Sequence, residues 1–155
     1  MGKLEFQQVL DMAIAEEMAA HCLYRELAQK VVEEPVRDTL LFLAKEELSH
    51  RDLLVAYREG RLAGQGLGMA EPVDAHLVEA MGTPEWDPGW GLKELFLAAA
   101  RKEQISHEFY AELAARHPTG AVRELLLRLA KEELGHKERM EYLYANTAFP
   151  QTDGG

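Results

Sequence analysis

The feature that most constrains the fold is an internal repeat with an offset of 86 residues. Residues 44–50 read Ala-Lys-Glu-Glu-Leu-Ser-His, and residues 130–136 read Ala-Lys-Glu-Glu-Leu-Gly-His. Across positions 8–57, 18 of 50 residues recur unchanged at this offset, without a gap. Shared helical composition alone does not produce so many matches. Two copies joined by a long linker predict a duplicated helical hairpin rather than a stacked array of repeats.

Hydrophobic periodicity supports this interpretation, because apolar residues recur with the period of an α-helix in four segments. Pro35 is suited to a first helical turn and Gly60 to a helix end. Asp87 and Pro88 are predicted to cap and begin the third helix. The sequence therefore predicts an all-α four-helix bundle, two duplicated hairpins joined by a crossover. The four helices are predicted at about residues 3–32, 35–59, 91–116 and 120–145.

The crossover is predicted at about residues 60–90, where the periodicity fails. A helix of about 25 residues is about 38 Å long, so the chain must return that distance before a parallel helix can begin. A short helix is expected within residues 72–81. We predict one domain over residues 1–149, including the crossover, and a flexible tail over residues 150–155.

Composition excludes several classes of function. A formal net charge of −10 disfavours binding to nucleic acid, which requires clustered Lys and Arg. No stretch approaches the roughly 20 apolar residues of a membrane span, and the N-terminus lacks the features of a signal peptide. We expect a soluble, cytoplasmic protein. The single cysteine, Cys22, excludes an internal disulfide, and its apolar surroundings predict a small core residue.

One glutamate lies in the predicted apolar stripe of each helix. The residues three and four positions earlier are apolar in every case, for example Ala13 and Ile14 before Glu17. An unpaired buried carboxylate is so costly that its pKa shifts and it stays protonated. Divalent cations would instead supply the missing counter-charge. The four glutamates are Glu17, Glu47, Glu103 and Glu133.

Two of these glutamates are followed three residues later by a histidine, as Glu47/His50 and Glu133/His136. On an α-helix this spacing places both side chains on one face, where they can bind one metal ion together. A Glu from each of two helices and a Glu-x-x-His from each of the other two form the ligand set of di-iron and di-manganese bundles. The sequence therefore predicts two iron ions, with manganese or zinc as substitutes.

Other glutamates near these positions are not predicted to bind metal. Glu16 also has apolar neighbours, but the residue 86 positions later is Lys102. Glu46 and Glu132 precede the two Glu-x-x-His motifs. Replacing Glu46 is expected to leave metal binding nearly intact.

Two aromatic and two imidazole side chains share the helix faces of the predicted ligands. Tyr24 and Tyr110 follow Glu17 and Glu103 by seven residues, so they either donate a hydrogen bond to a ligand carboxylate or are simple aromatic core. The histidines that follow the same glutamates by four are extra ligands, proton donors or hydrogen-bonded core histidines, and the sequence does not separate these. They are His21 and His107.

The ligand pattern resembles the ferritin-like domain of the rubrerythrin family over residues 8–140. By this resemblance, Glu47 and Glu133 bridge two irons. Glu17 and His50 complete the ligand shell of one ion in the same way. The remaining pair, which completes the shell of the other ion, is Glu103 and His136. The residues that carry the resemblance are Glu17 with Tyr24, Glu47-x-x-His50, Glu103 with Tyr110, and Glu133-x-x-His136.

Two features depart from the family pattern. Rubrerythrins usually carry an additional carboxylate one turn after the glutamate of the third helix, where this chain has Ser106, next to His107. The Cys-x-x-Cys pairs of a rubredoxin-type iron domain are also absent from the sequence. The electrons are therefore expected from a separate protein such as a rubredoxin.

The resemblance implies a redox enzyme that reduces hydrogen peroxide or O₂, or oxidises Fe(II), at a dinuclear iron site. The alternative is a non-catalytic protein that binds, sequesters or senses iron. A third interpretation, in which the buried polar residues only define helix register, is the least favoured. We expect a homodimer, because the long crossover permits exchange of hairpins between two chains.

Overall fold

The computed structural model describes residues 6–61, 87 and 89–148. These residues form four α-helices and no strand, so the predicted all-α fold is confirmed. Each boundary lies within three residues of its predicted position. The short helix expected within residues 72–81, nearly all of the crossover and the tail lie outside the described residues. The helices are α1 (Phe6–Lys30), α2 (Glu34–Arg58), α3 (Leu92–Ala115) and α4 (Ala121–Ala148).

Contacts between helices give their relative directions. Along α1 and α3, Glu17 meets Tyr110 whereas Tyr24 meets Glu103, so residue numbers rise along one helix as they fall along the other. These two helices are therefore antiparallel. Within the first hairpin, α1 and α2 are also antiparallel, so α2 and α3 run in the same direction. This is the arrangement that requires a crossover along the length of the bundle, as the sequence predicted.

Local signals explain where α2 begins and ends. Pro35 lies in the first turn of α2. Arg37 donates a hydrogen bond to the carbonyl of Val31, the residue that directly follows α1. At the other end, Gly60 has φ of +71°, a conformation that glycine adopts without steric cost. The amides of Gly60 and Arg61 bond the carbonyls of Tyr57 and Ala56. This pair of bonds is a Schellman motif, which satisfies carbonyls left free at the helix end.

The prediction for the start of α3 is wrong in detail. Gly91, not Asp87, is the residue that precedes the first helical turn. The Asp87 side chain accepts a hydrogen bond from the amide of Gly89, and the amide of Trp90 bonds the Asp87 carbonyl. Asp87 thus forms a turn upstream of the helix, because its short carboxylate competes for nearby backbone amides.

The apolar core is divided into two clusters by a buried polar layer. One cluster contains Leu10, Leu54, Phe109 and Leu126, and the other contains Leu27, Leu40, Phe96 and Met140. Each cluster draws residues from all four helices, so each end of the bundle buries apolar surface on its own. The buried Glu and His side chains of the bundle lie between these two ends.

The structure shows the environment of Cys22 and the hydropathy of the helices. Cys22 is exposed, so the prediction of a core residue is wrong. Its neighbours Leu23 and Tyr24 are the residues of this turn that face the core. None of the helices in the described part of the chain combines the length and hydropathy needed to cross a bilayer.

Candidate metal centre

The polar layer consists of the six side chains that the Glu and Glu-x-x-His pattern selects. All six are at most 5% exposed. Two come from each of α2 and α4, and one each from α1 and α3. The layer holds four carboxyl groups and two imidazoles in an otherwise apolar interior. They are Glu17, Glu47, His50, Glu103, Glu133 and His136.

Potential ligand atoms form two overlapping groups. In each group of four residues, the oxygen and nitrogen atoms lie within 4.8 Å of one another. Glu47 and Glu133 belong to both groups, as bridging ligands would. The first group adds Glu17 and His50, and the second adds Glu103 and His136. The two groups contain the same residues that the family resemblance implied for each of two ions.

Buried atoms without partners indicate that these groups fit cations. Within the described part of the chain, both oxygens of Glu133 and one oxygen each of Glu17, Glu47 and Glu103 are buried without a hydrogen-bond partner. Nδ1 of His50 is buried likewise and contacts a Glu133 oxygen without hydrogen-bond geometry. Such unsatisfied oxygens are costly in a protein core. Carboxylate oxygen and imidazole nitrogen together are the donors that iron and manganese accept.

Crowding of these groups shifts their protonation. Burial raises the pKa of Glu17 and of Glu133 well above the usual range, and it raises that of Glu103. Burial would also raise the pKa of Glu47, but the neighbouring Glu17 and both histidines outweigh it and lower the pKa. Burial alone would lower the pKa of His136, but Glu103 and Glu47 raise it to about 11. Without metal, the centre therefore holds extra protons.

The two tyrosines donate to carboxylates of the polar layer, which is one of the two alternatives left open by the sequence. Tyr110 donates to Oε1 of Glu17 at 2.7 Å, and Tyr24 donates to Oε1 of Glu103. Each tyrosine contacts the glutamate of the other hairpin, not the one seven residues before it. Burial raises the pKa of both phenols well above the usual range, so both keep the proton that they donate.

Glu46 and Glu132 also contact the centre, and the sequence pattern did not predict these contacts. Nε2 of His50 lies 2.8 Å from Oε2 of Glu132, and Nε2 of His136 contacts Oε2 of Glu46. The Nδ1 atoms face the core carboxylates; that of His136 lies 2.8 Å from Glu47. A carboxylate on the outer nitrogen of a ligand histidine sets its tautomer and orientation. The available signal was the repeated Glu-Glu pair in both sequence copies.

The remaining histidine pair connects helices within each hairpin. Nδ1 of His21 donates to the carbonyl of Ala44 at 2.8 Å, and Nδ1 of His107 donates to that of Ala130 at 2.7 Å. Neither histidine contributes an atom to the two groups of potential ligands. Of the three alternatives, the geometry matches hydrogen-bonded histidines, and both side chains are partly buried.

Glu16 and Lys102 occupy equivalent positions in the two repeats and meet each other. Nζ of Lys102 lies 3.1 Å from Oε2 of Glu16. Equivalent residues meet only near an axis that relates the two hairpins. The stacked rings of His50 and His136, with centroids 5.8 Å apart, meet in the same way. Together with the paired tyrosine contacts, these observations define an approximate twofold axis through the centre.

Fold and centre together define a class, the ferritin-like four-helix bundle with a buried cluster of carboxylates and histidines that could hold metal ions. The family model for rubrerythrin matches residues 8–80. This match confirms the predicted resemblance to the rubrerythrin family over these residues. The family implies di-iron binding, which agrees with the buried carboxylate and histidine groups.

A solved structure extends the comparison over most of the chain. A hypothetical protein from Pyrococcus furiosus is similar with a TM-score of 0.72 and 25% sequence identity. The alignment covers 94% of this chain and 92% of the other. A comparison with curated proteins finds no match.

Proposed function

We propose that this protein is a di-iron oxidoreductase that reduces hydrogen peroxide, or O₂, and accepts electrons from Fe(II) or from a separate donor protein such as a rubredoxin. The observation that carries the proposal is the sharing of Glu47 and Glu133 by both groups of potential ligands. When bound, two ferrous ions supply the two electrons which, with two protons, cleave one molecule of hydrogen peroxide into two of water.

The chain's own residues would hold and orient the site. Glu47 and Glu133 each reach both positions, so they are suited to set the separation of the two ions. The phenol of Tyr110 holds Oε1 of Glu17, which leaves Oε2 for a metal. Tyr24 does the same for Glu103. The two apolar clusters exclude water above and below the layer.

Anaerobic loading with Fe(II), followed by hydrogen peroxide in a stopped-flow spectrometer, tests the proposal. We expect two irons per chain and a fast absorbance change with one peroxide consumed for every two irons oxidised. Glu133→Ala should lose both, whereas Glu138→Ala, an exposed change on the same helix, should lose neither. Two bound irons that react only slowly with peroxide would favour the alternative, a protein that sequesters or senses iron. Failure to bind two transition-metal ions would contradict both functions.

We also propose a homodimer. The long crossover between the hairpins allows either a swapped or an unswapped arrangement. Light scattering at high protein concentration measures this directly, and a monomer alone would contradict it.

A further inference from the structure

Two cavities approach the buried centre from different sides of the bundle. The larger, about 440 Å³, lies between α2 and α4 beside Phe42, Gly135 and His136. The smaller, about 10 Å³, lies between α1 and α3 beside Ser106. The two cavities reach different residues of the centre, so their volumes alone do not show which one gives access to it.

The larger cavity stops at the outer side of a histidine. Its walls include Glu46 and His136, but none of the four core glutamates. Glu46 contacts Nε2 of this histidine, whereas Nδ1 faces Glu47. A molecule in this cavity is therefore separated from the ligand oxygens by the imidazole ring and its bound carboxylate.

The smaller cavity reaches a ligand carboxylate directly. Glu17 and Tyr110 form part of its wall. Oε1 of Glu17 accepts the tyrosine hydroxyl, but Oε2 is buried without a hydrogen-bond partner. A molecule in this cavity thus lies against a group that holds one of the two metal positions. A volume of about 10 Å³ is close to the minimum that accommodates one water molecule.

Two side chains of α3 restrict this cavity. Ser106 and Ile105 are both partly buried and both line it. Their counterparts 86 residues earlier, Ala20 and Ala19, are smaller, so the equivalent position beside Glu103 has different walls. The smaller cavity, with the restriction by these two residues, lies on the Glu17 side of the centre.

We propose that small oxidants reach the centre between α1 and α3, and that Ser106 and Ile105 limit access to molecules about the size of water or hydrogen peroxide. Organic hydroperoxides, which carry an alkyl group, are excluded. This inference rests on the function proposed above, because it concerns access to the same dinuclear site.

Nitric oxide provides a probe of access that does not depend on turnover. It is diatomic, and its binding to the Fe(II)-loaded protein is followed by absorbance in stopped flow. Ser106→Val should slow binding by about tenfold, equivalent to roughly 1.4 kcal/mol in the barrier. Gly135→Leu is the matched control, because a Cβ at that position meets nothing within 4 Å and the new side chain would occupy the larger cavity. This control should change the rate of nitric oxide binding by less than about twofold relative to the unsubstituted protein.

Enlarging the cavity should have the opposite effect and does not depend on how Ser106→Val folds. We expect Ile105→Ala to raise the rate of oxidation by tert-butyl hydroperoxide by about tenfold. The rate with hydrogen peroxide should change by less than about twofold. The ratio of the two rates removes any general loss of activity.

The outcomes separate this inference from the proposed function. Iron content is measured first, and a protein without two irons contradicts the function itself. If two irons bind but Gly135→Leu slows nitric oxide and Ser106→Val does not, access is between α2 and α4 and the inference is wrong. An unchanged ratio of hydroperoxide rates in Ile105→Ala would also overturn the size limit.

Discussion

Equivalent residues of the two hairpins make the same contacts at the centre of the bundle and different contacts at its ends. At the centre, contacts occur twice at an offset of 86: Tyr24 and Tyr110 each donate to a glutamate of the other hairpin. At one end, the hydroxyl of Tyr57 lies 2.5 Å from Nε2 of His117. The equivalent residues at the other end are Leu143 and Val31, which pack against the apolar core.

This difference shows where the repeat is constrained. The two ions proposed for the centre would require two equal sets of donors, which explains why the residues there match. Elsewhere, side chains need only fill the space in the core or pair a buried polar group, and different residues can do this in the two hairpins. Glu16 and Lys102 illustrate the second case, because two equal charges at that meeting point would repel each other.

The largest expected effect tests whether the halves are equivalent at the bridging positions. Fe(II) or Mn(II) at a thousandfold excess over Kd should stabilise the protein by about 4 kcal/mol. For a chain of this size that corresponds to a rise in Tm of roughly 10 °C. Glu47→Ala and Glu133→Ala should each remove most of this rise, because each carboxylate serves both ions. Calorimetry with and without metal measures it, and unequal losses would show that the two halves differ in function.

The same rise in Tm should depend on pH. Burial raises the pKa of Glu17, Glu103 and Glu133, so the metal-free native state holds protons that the unfolded chain releases above about pH 4.5. The stability of the metal-free protein therefore falls as pH rises towards 7. Metal binding displaces these protons, so it strengthens over the same range. An equal metal-induced rise at pH 5 and pH 7 would contradict this assignment.

A smaller effect concerns the carboxylates outside the ligand set. Glu46→Gln and Glu132→Gln should each weaken metal binding by about tenfold, because each carboxylate orients a histidine of the opposite hairpin. This replaces the sequence-based expectation that Glu46 is dispensable. Metal titration with a competing chelator measures both affinities, and Glu138→Gln serves as an exposed control. Affinities unchanged from the unsubstituted protein would restore the earlier expectation.

The smallest effect lies at the end where the hairpins differ. Burial lowers the pKa of His117, so its neutral form is favoured in the native state and accepts the hydroxyl of Tyr57. Its contribution to stability is present above the unfolded pKa of about 6.5 and is lost as pH falls below it. His117→Val introduces the residue of the equivalent end, Val31. When the pH is lowered from 7.5 to 5.5, the Tm of the variant should fall by about 2 °C less than the Tm of the unsubstituted protein. Parallel pH profiles would contradict a role for this histidine.

The sequence by itself determined the helices and the selection of buried charged residues. A glutamate at the apolar stripe of a helix and a histidine one turn later are local facts, because helix geometry places residues three and four apart on one face. The 86-residue offset then pairs Glu47 with Glu133 and His50 with His136. The length of a helix requires a long crossover before a parallel one.

Only the tertiary structure decided which side chains meet between helices. Tyr24 bonds Glu103 and not Glu17, and Glu46 reaches a histidine of the other hairpin. Cys22 faces solvent although Leu23 and Tyr24, which follow it in the sequence, are buried. The physical reason is that spacing along one helix follows from its own geometry, whereas the register between antiparallel helices depends on how whole faces pack together.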